Sequence, residues 1–307
     1  MGTPDFAVNS LRALFEGEDE VVAVVTQPDR EKGRGRRMVP SPIKVIAQEK
    51  RITVLQPEKI GDDHFLSRIK DYEPDLIVVV AYGQILTKFI LNIPRYGCFN
   101  VHASLLPKYR GASPIQWAII KGEEKTGVTI MQMDEGMDTG KILLQKEIPI
   151  AAEDNLKTLS DRLSRLGAST LLETLNLLKQ DKLKAMAQDS SRASYAPLLS
   201  KKDGEIEWEK GAEEINNFIR GMNPWPGAFT YLEGKFLKIL GAQVIERKVA
   251  DRPGFITGTG PQGLEVATGD GSLLITELQP ESKKKMMTAD FLRGYRVEEG
   301  QRLGRQS

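Results

Sequence analysis

Short apolar runs that alternate with amphipathic helical stretches constrain this chain more than any other feature. Val21 to Thr26, Leu76 to Ala81, Cys98 to Val101 and Val128 to Met133 are each of strand length, and the segments between them carry apolar residues at helical spacing. Strands that alternate with helices are covered by them on both faces, so the pattern predicts a doubly wound, Rossmann-like α/β sheet. Thr3 before Pro4 predicts a capped helix start, with Phe6, Ala7, Leu11, Leu14 and Phe15 as its buried stripe. A second, long helix is predicted over Leu156 to Lys179, where leucines recur on one face and Glu153 and Asp154 suit the N-terminal dipole. A doubly wound fold opens with a strand that delivers the chain to its first loop, whereas this sequence starts at that loop. The expectation is that a central first strand lies upstream and that Met1 is an internal methionine.

The pattern changes near Ser190. Residues 190–203, with Tyr195-Ala196-Pro197 and Ser200-Lys201-Lys202-Asp203, read as a linker that divides a first domain, 1–189, from a second, 204–307. After one short helix around Glu213 to Arg220, strands are predicted at Phe229 to Leu232, Lys235 to Leu240, Phe255 to Thr257, Leu264 to Ala267 and Ser272 to Leu278. Their Gly-rich turns predict a small, OB-like β-barrel. At 307 residues both parts have enough chain to bury a core. No apolar run approaches the roughly 18 residues of a bilayer span. The start carries no secretory signal, so the expectation is a cytoplasmic protein, of a bacterial-type or organellar compartment. Without a heptad pattern or an extended apolar edge the default is a monomer. One cysteine, Cys98, excludes an internal disulfide and a Cys-clustered zinc site, and only His64 and His102 are available for imidazole chemistry. A net charge of +1 confines any nucleic-acid attraction to local basic patches.

The densest chemistry lies in Asn100-Val101-His102-Ala103-Ser104-Leu105-Leu106-Pro107, followed by Tyr109-Arg110-Gly111. The segment begins at a strand end, where reactive groups collect in open α/β sheets. In extended chain, Asn100 and His102 face the same side. Met133-Asp134-Glu135-Gly136-Met137-Asp138-Thr139-Gly140 ends another apolar strand in an acidic, glycine-bearing turn and offers the imidazole a carboxylate. An amide, an imidazole and a carboxylate suit attack by an amine on a carbonyl: the first two stabilise the oxyanion while the carboxylate orients the ring or relays a proton. That chemistry calls for no metal.

This region resembles the folate-dependent formyltransferases, whose active site holds an Asn-x-His pair, a Ser-Leu-Leu-Pro loop and a downstream Asp. The resemblance implies that Asn100, His102 and Asp138 carry catalysis. By the same resemblance Ser104, Leu105, Leu106 and Pro107 help bind 10-formyltetrahydrofolate, and Tyr82 to Leu86, including Ile85 and Leu86, border the pterin. Gly2-Thr3-Pro4-Asp5-Phe6-Ala7, Thr26-Gln27-Pro28-Asp29-Arg30, Arg110 to Gln116, Thr126 to Met133 and Asn223-Pro224-Trp225-Pro226-Gly227 are similar to the branch of that family whose acceptor is methionyl-tRNA. For that branch the implied reaction formylates the free amino group of initiator methionyl-tRNA, for translation initiation. Arg30-Glu31-Lys32-Gly33-Arg34-Gly35-Arg36-Arg37 is then the acceptor-stem loop, with Lys32, Arg34, Arg36 and Arg37 as RNA contacts and no role in binding DNA. Lys283, Lys284 and Lys285, with Arg293 and Arg296, are a second set of cations for tRNA phosphates on the second domain. Two other readings stay open on the residues alone: a formyltransferase acting on an amino sugar or other small amine, and a noncatalytic RNA-binding module with a relic site.

Overall fold

A computed structural model describes residues 1–32, 37–245 and 252–305, with Lys32 described by its backbone alone. Its helices are α1 (Val8–Glu16), α2 (Pro42–Glu49), α3 (Asp63–Asp71), α4 (Lys88–Leu91), α5 (Pro114–Ile120), α6 (Leu156–Lys179), α7 (Ala212–Met222) and α8 (Thr288–Gly294). The strands of the first part are β1 (Val24–Val25), β2 (Arg30–Lys32), β3 (Arg37–Val39), β4 (Val54–Leu55), β5 (Ile77–Val79), β6 (Cys98–His102), β7 (Lys125–Gln132) and β8 (Ile142–Pro149). Those of the second are β9 (Ala228–Leu232), β10 (Lys235–Ile245), β11 (Ile256–Gly260), β12 (Gly263–Ala267), β13 (Ser272–Pro280) and β14 (Met286–Met287). None of the described helices is long and apolar enough to cross a membrane.

Two units emerge. The first comprises Met1–Pro114, Lys125–Pro149 and Ser160–Ala196, and the second Ile115–Glu124, Ile150–Leu159 and Pro197–Ser307. The first unit is mixed α/β. In it β5 and β6 run parallel, and β7 and β8 continue the sheet antiparallel. A separate parallel pair joins β1 to β4, and β2 and β3 form an antiparallel hairpin. The core packs Val25, Leu55, Phe65, Ile69, Val79, Ile90 and Cys98 together, all nearly inaccessible. Local chemistry sets the helix starts: Ser41, ahead of Pro42 at the first helical position, accepts the Lys44 amide, and Asp62 accepts the His64 amide.

One predicted cap is corrected by the fold. Thr3 does not cap the first helix; its hydroxyl donates to the Tyr82 carbonyl at 2.9 Å, tying the first loop to the end of β5, and a short 3-10 turn, Asp5–Ala7, precedes α1. The single sheet expected from the strand pattern is also divided. Among the described residues Met1 and Gly2 bridge β1 and β5: the Met1 amino group donates to the Val78 carbonyl (2.6 Å), the Val80 amide to Met1 (2.8 Å), and the Gly2 amide to Val25 (3.0 Å). Beside that bridge lies a cavity of about 500 Å³, bordered by Val22, Val24, Ile69, Leu76 and Val78.

The second unit is built on an antiparallel sheet of order β11-β12-β13-β10-β9, with β14 paired to β13. Its register shifts at Gly241 and between Ile256 and Gly258. The path of named strands ends at β11 on one side and β9 on the other, the segment around Arg302 and Leu303 bridges to Phe255 and to Leu232 beside those two edges, and the sheet shares a core with Ile215, Ile219 and Met222 of α7. Spacing predicts strands; whether the last meets the first depends on register, which local sequence does not encode.

Candidate active site

The site grows from the end of β6. Asn100 lies opposite Val79 of β5 and Met131 of β7, and His102 opposite Thr129, so the two side chains project from one face of an internal strand. His102 is buried. Its Nε2 lies 3.0 Å from the carbonyl oxygen of Tyr109. A carbonyl only accepts, so Nε2 carries the proton in this contact and Nδ1 is the nitrogen turned toward Asp138, 3.7 Å from Oδ2.

Asp138 is held from two directions. Its Oδ2 accepts the Gly111 amide at 2.8 Å, and its backbone sits in the left-handed region at φ 53°. Gly111 is there for a steric reason. Its φ is 118°, and a Cβ would stand 2.8 Å from the Ala196 carbonyl oxygen, so only glycine brings its N–H up to the carboxylate.

The Ser104–Pro107 loop leaves β6 through a cis Leu106-Pro107 bond and is anchored by a side chain no motif singles out. Buried Thr129 on β7 donates its hydroxyl to the Ser104 carbonyl (2.7 Å) and accepts the Leu106 amide (3.1 Å). Gln145 on β8 then donates to the Leu106 carbonyl and to the Thr129 hydroxyl, both at 2.8 Å. Ser104 is fully buried and spends its hydroxyl on the Lys108 carbonyl at 2.6 Å. Leu106 packs with Met131 and Ile142, while Leu105 and Pro107 remain half-buried.

Of the two residues expected beside the pterin, Ile85 is 83% exposed and Leu86 belongs to the core cluster of the first unit. Among the basic residues, Arg37 is exposed and pairs in register with Lys32 across the β2–β3 hairpin. Arg34 and Arg36 lie outside the described residues, as does the Lys32 side chain. At the hairpin's base Asp29 accepts Lys44 Nζ (2.6 Å) and Gln56 Nε2 (2.8 Å); these bonds, Lys44's first, hold its carboxyl below the usual carboxylate range. In the second unit Lys283, Lys284 and Lys285 are exposed, with Lys285 paired to Glu277 at 3.0 Å.

Sequence reasoning missed Arg110 and Gln188. Arg110 is almost wholly buried, and both its Nε and one terminal nitrogen donate to Gln188 Oε1 at 3.1 and 2.8 Å. Gln188 in turn donates to the carbonyls of Asp138 (2.8 Å) and Gly140 (2.7 Å). Arg110 stood inside a noted motif, but a glutamine fifty positions from Asp138 gives no local signal.

The chain is similar to known proteins along most of its length. The family described as "Formyl transferase" matches residues 1–175, and "Formyl transferase, C-terminal domain" matches residues 198–296. The methionyl-tRNA formyltransferase of Desulfotalea psychrophila is 54% identical over 297 residues, covering 97% of this chain and 92% of that protein. The enzyme of the same name from Geobacter sulfurreducens is 51% identical over 304 residues, covering 99% and 95%. Among solved structures, an N-formyltransferase from Helicobacter canadensis in complex with folinic acid and dTDP-3-aminofucose superposes with a TM-score of 0.66 at 20% identity, over 91% of this chain and 97% of that one. HypX from Aquifex aeolicus in complex with tetrahydrofolic acid gives 0.61 at 19% identity, over 88% of this chain and 46% of that one. At such identity these two structures bear on the fold alone.

Proposed function

The chain belongs to the formyl transferase family through both of its units, and we propose that it moves the formyl group of 10-formyltetrahydrofolate onto the free amino group of methionyl-tRNA. The single observation behind the chemistry is Asn100 and His102 side by side at the end of β6, with Asp138 3.7 Å from the imidazole. The choice of acceptor rests on relatives of that name that are about half identical across nearly the whole chain.

In this reading the amine attacks the formyl carbon. The new C–N bond forms as the carbonyl π pair moves onto oxygen; Asn100 donates to the oxyanion, joined by the imidazole as its Nε2–H turns from the Tyr109 carbonyl. The bond to the folate nitrogen then breaks, the amine proton leaves by way of the His102–Asp138 pair, and the folate nitrogen takes up a proton. The 3.7 Å separation is longer than a working hydrogen bond, and bound substrate draws the pair together. Half-buried Leu105 and Pro107, and exposed Ile85, offer apolar surface to the flat pterin, and anchoring by Thr129 keeps the loop in shape for it.

Recognition of the initiator is assigned to Lys32, Arg34, Arg36 and Arg37, cations able to pair bidentately or singly with acceptor-stem phosphates and base edges. Lys283 to Lys285 supply sequence-independent grip from the second unit. In the same reading the first unit is a doubly wound fold interrupted between β1 and β5, and the second a partly open relative of the OB barrel.

The test is formyl transfer to methionyl-initiator tRNA by the chain and its Asn100→Ala variant. Loss of an oxyanion donor should lower kcat by about 10² to 10³ with tRNA affinity retained. Transfer to small amines but not to charged tRNA would overturn the acceptor assignment.

A further inference from the structure

Asp138, like Tyr109, has its backbone held in a costly conformation, and what holds Asp138 there comes from a distant part of the chain. At φ 53° a non-glycine residue is strained, and such a conformation persists only where its surroundings over-determine it. The over-determination is visible. The Gln188 amide nitrogen donates to the carbonyls of Asp138 and Gly140, which brackets the turn on both sides of Thr139. The Gln188 oxygen takes two N–H bonds from Arg110, and a terminal Arg110 nitrogen reaches Ser190 Oγ at 3.5 Å. Arg110 is fixed through its own backbone: its amide donates to Ser194 (2.8 Å) and its carbonyl accepts from Ala196 (2.7 Å). A guanidinium only donates, so the amide oxygen must face Arg110 and the NH₂ must face the two carbonyls. Glutamine satisfies both sides at once, where a carboxylate would set oxygen against oxygen.

We propose that Gln188 is the positioning residue of the reaction: with Arg110 as its anchor, it sets the Asp138 turn so that the carboxylate faces His102 while accepting the Gly111 amide. The inference rests on the formyl-transfer reading for its kinetic readout, but its structural readout stands apart from that reading. The hydrogen bonds of Gln188 go to Arg110 and to the Asp138 and Gly140 carbonyls, not to Asn100 or the His102 ring, so it acts through Asp138.

Gln188→Glu is isosteric, keeps the bonds to Arg110 and turns a carboxylate oxygen on the two carbonyls. Gln188→Met removes every bond without adding charge. Both should lower kcat for formyl transfer by about 10- to 100-fold, the scale of a small misplacement of a catalytic group, with KM for folate and methionyl-tRNA within about twofold of wild type. In an Asp138→Ala background neither change should cost anything further, because the route through which Gln188 acts is already lost. Independently of activity, amide exchange at Gly111 should accelerate in Gln188→Met while the core strands keep their protection. An equal loss of kcat with and without Asp138, or a rise in KM at constant kcat, overturns the proposal. Unchanged exchange at Gly111 does so as well. If wild-type chain transfers no formyl group to methionyl-tRNA while Gly111 exchange responds as described, the acceptor assignment fails and the positioning role stands.

Discussion

Removing the Thr129 hydroxyl tests whether the Ser104–Pro107 loop owes its shape to one buried side chain. Thr129→Val is nearly isosteric, so packing on β7 is preserved and the change is confined to hydrogen bonding. The hydroxyl donates to the Ser104 carbonyl at 2.7 Å and accepts the Leu106 amide at 3.1 Å, both buried. Valine leaves the buried Ser104 carbonyl and Leu106 amide without partners and also frees the half-buried Gln145 N–H that donates to Thr129. At about 1 to 3 kcal/mol for each unsatisfied buried group, the loop should lose about 2 to 6 kcal/mol. The Gln145 N–H freed from Thr129 is itself a donor and cannot replace the acceptor that the Leu106 amide loses. Hydrogen exchange on the segment containing Leu106 measures the local free energy directly, and the KM for 10-formyltetrahydrofolate should rise with it. Thr129→Ser keeps the hydroxyl and loses a methyl group, so it should cost only about 1 kcal/mol. A Thr129→Val loop as protected as wild type, with unchanged folate KM, would refute the reasoning, since the bonds would then be incidental.

Gly111→Ala should damage activity more than stability: a Cβ placed 2.8 Å from the Ala196 carbonyl at φ 118° forces the amide off Asp138, and kcat should drop by about 100-fold. Near-wild-type turnover would show that the Gly111 bond is dispensable. Burial pushes the Cys98 thiol up to about 12, so a thiol reagent at pH 8 should label the chain only after denaturation; stoichiometric labelling of native protein within minutes would contradict the packing around β6. Asp29 has its folded pKa depressed by Lys44 and Gln56, so its stabilisation is present above its unfolded value of about 3.9 and fades as pH falls through the folded one. The Tm gap between wild type and Asp29→Asn should therefore narrow on acidification from about pH 5, and a gap that widens would reverse the sign of the argument.

Much of the site could be read along the chain because its chemistry is local. Asn100 and His102 share a face through strand alternation, and Leu156 to Lys179 forms its helix over the span that its leucine spacing predicts. Thr3 misled because a residue with good capping chemistry found a partner in the Tyr82 carbonyl, far along the chain. How the edges of the second unit's sheet are bridged, by Leu303 to Leu232 and Arg302 to Phe255, depends on register between separate segments. The sequence by itself determined which residue types meet at the end of β6 and the formyl-transfer chemistry they resemble. Only the tertiary structure decided how they are held: by Thr129 beneath the loop, Gly111 against the carboxylate, and the pair of buried Arg110 and half-buried Gln188 behind the Asp138 turn. Those contacts join positions separated by up to 78 residues, as between Arg110 and Gln188, and no periodicity, cap or spacing encodes a distance that exists only after the chain has folded.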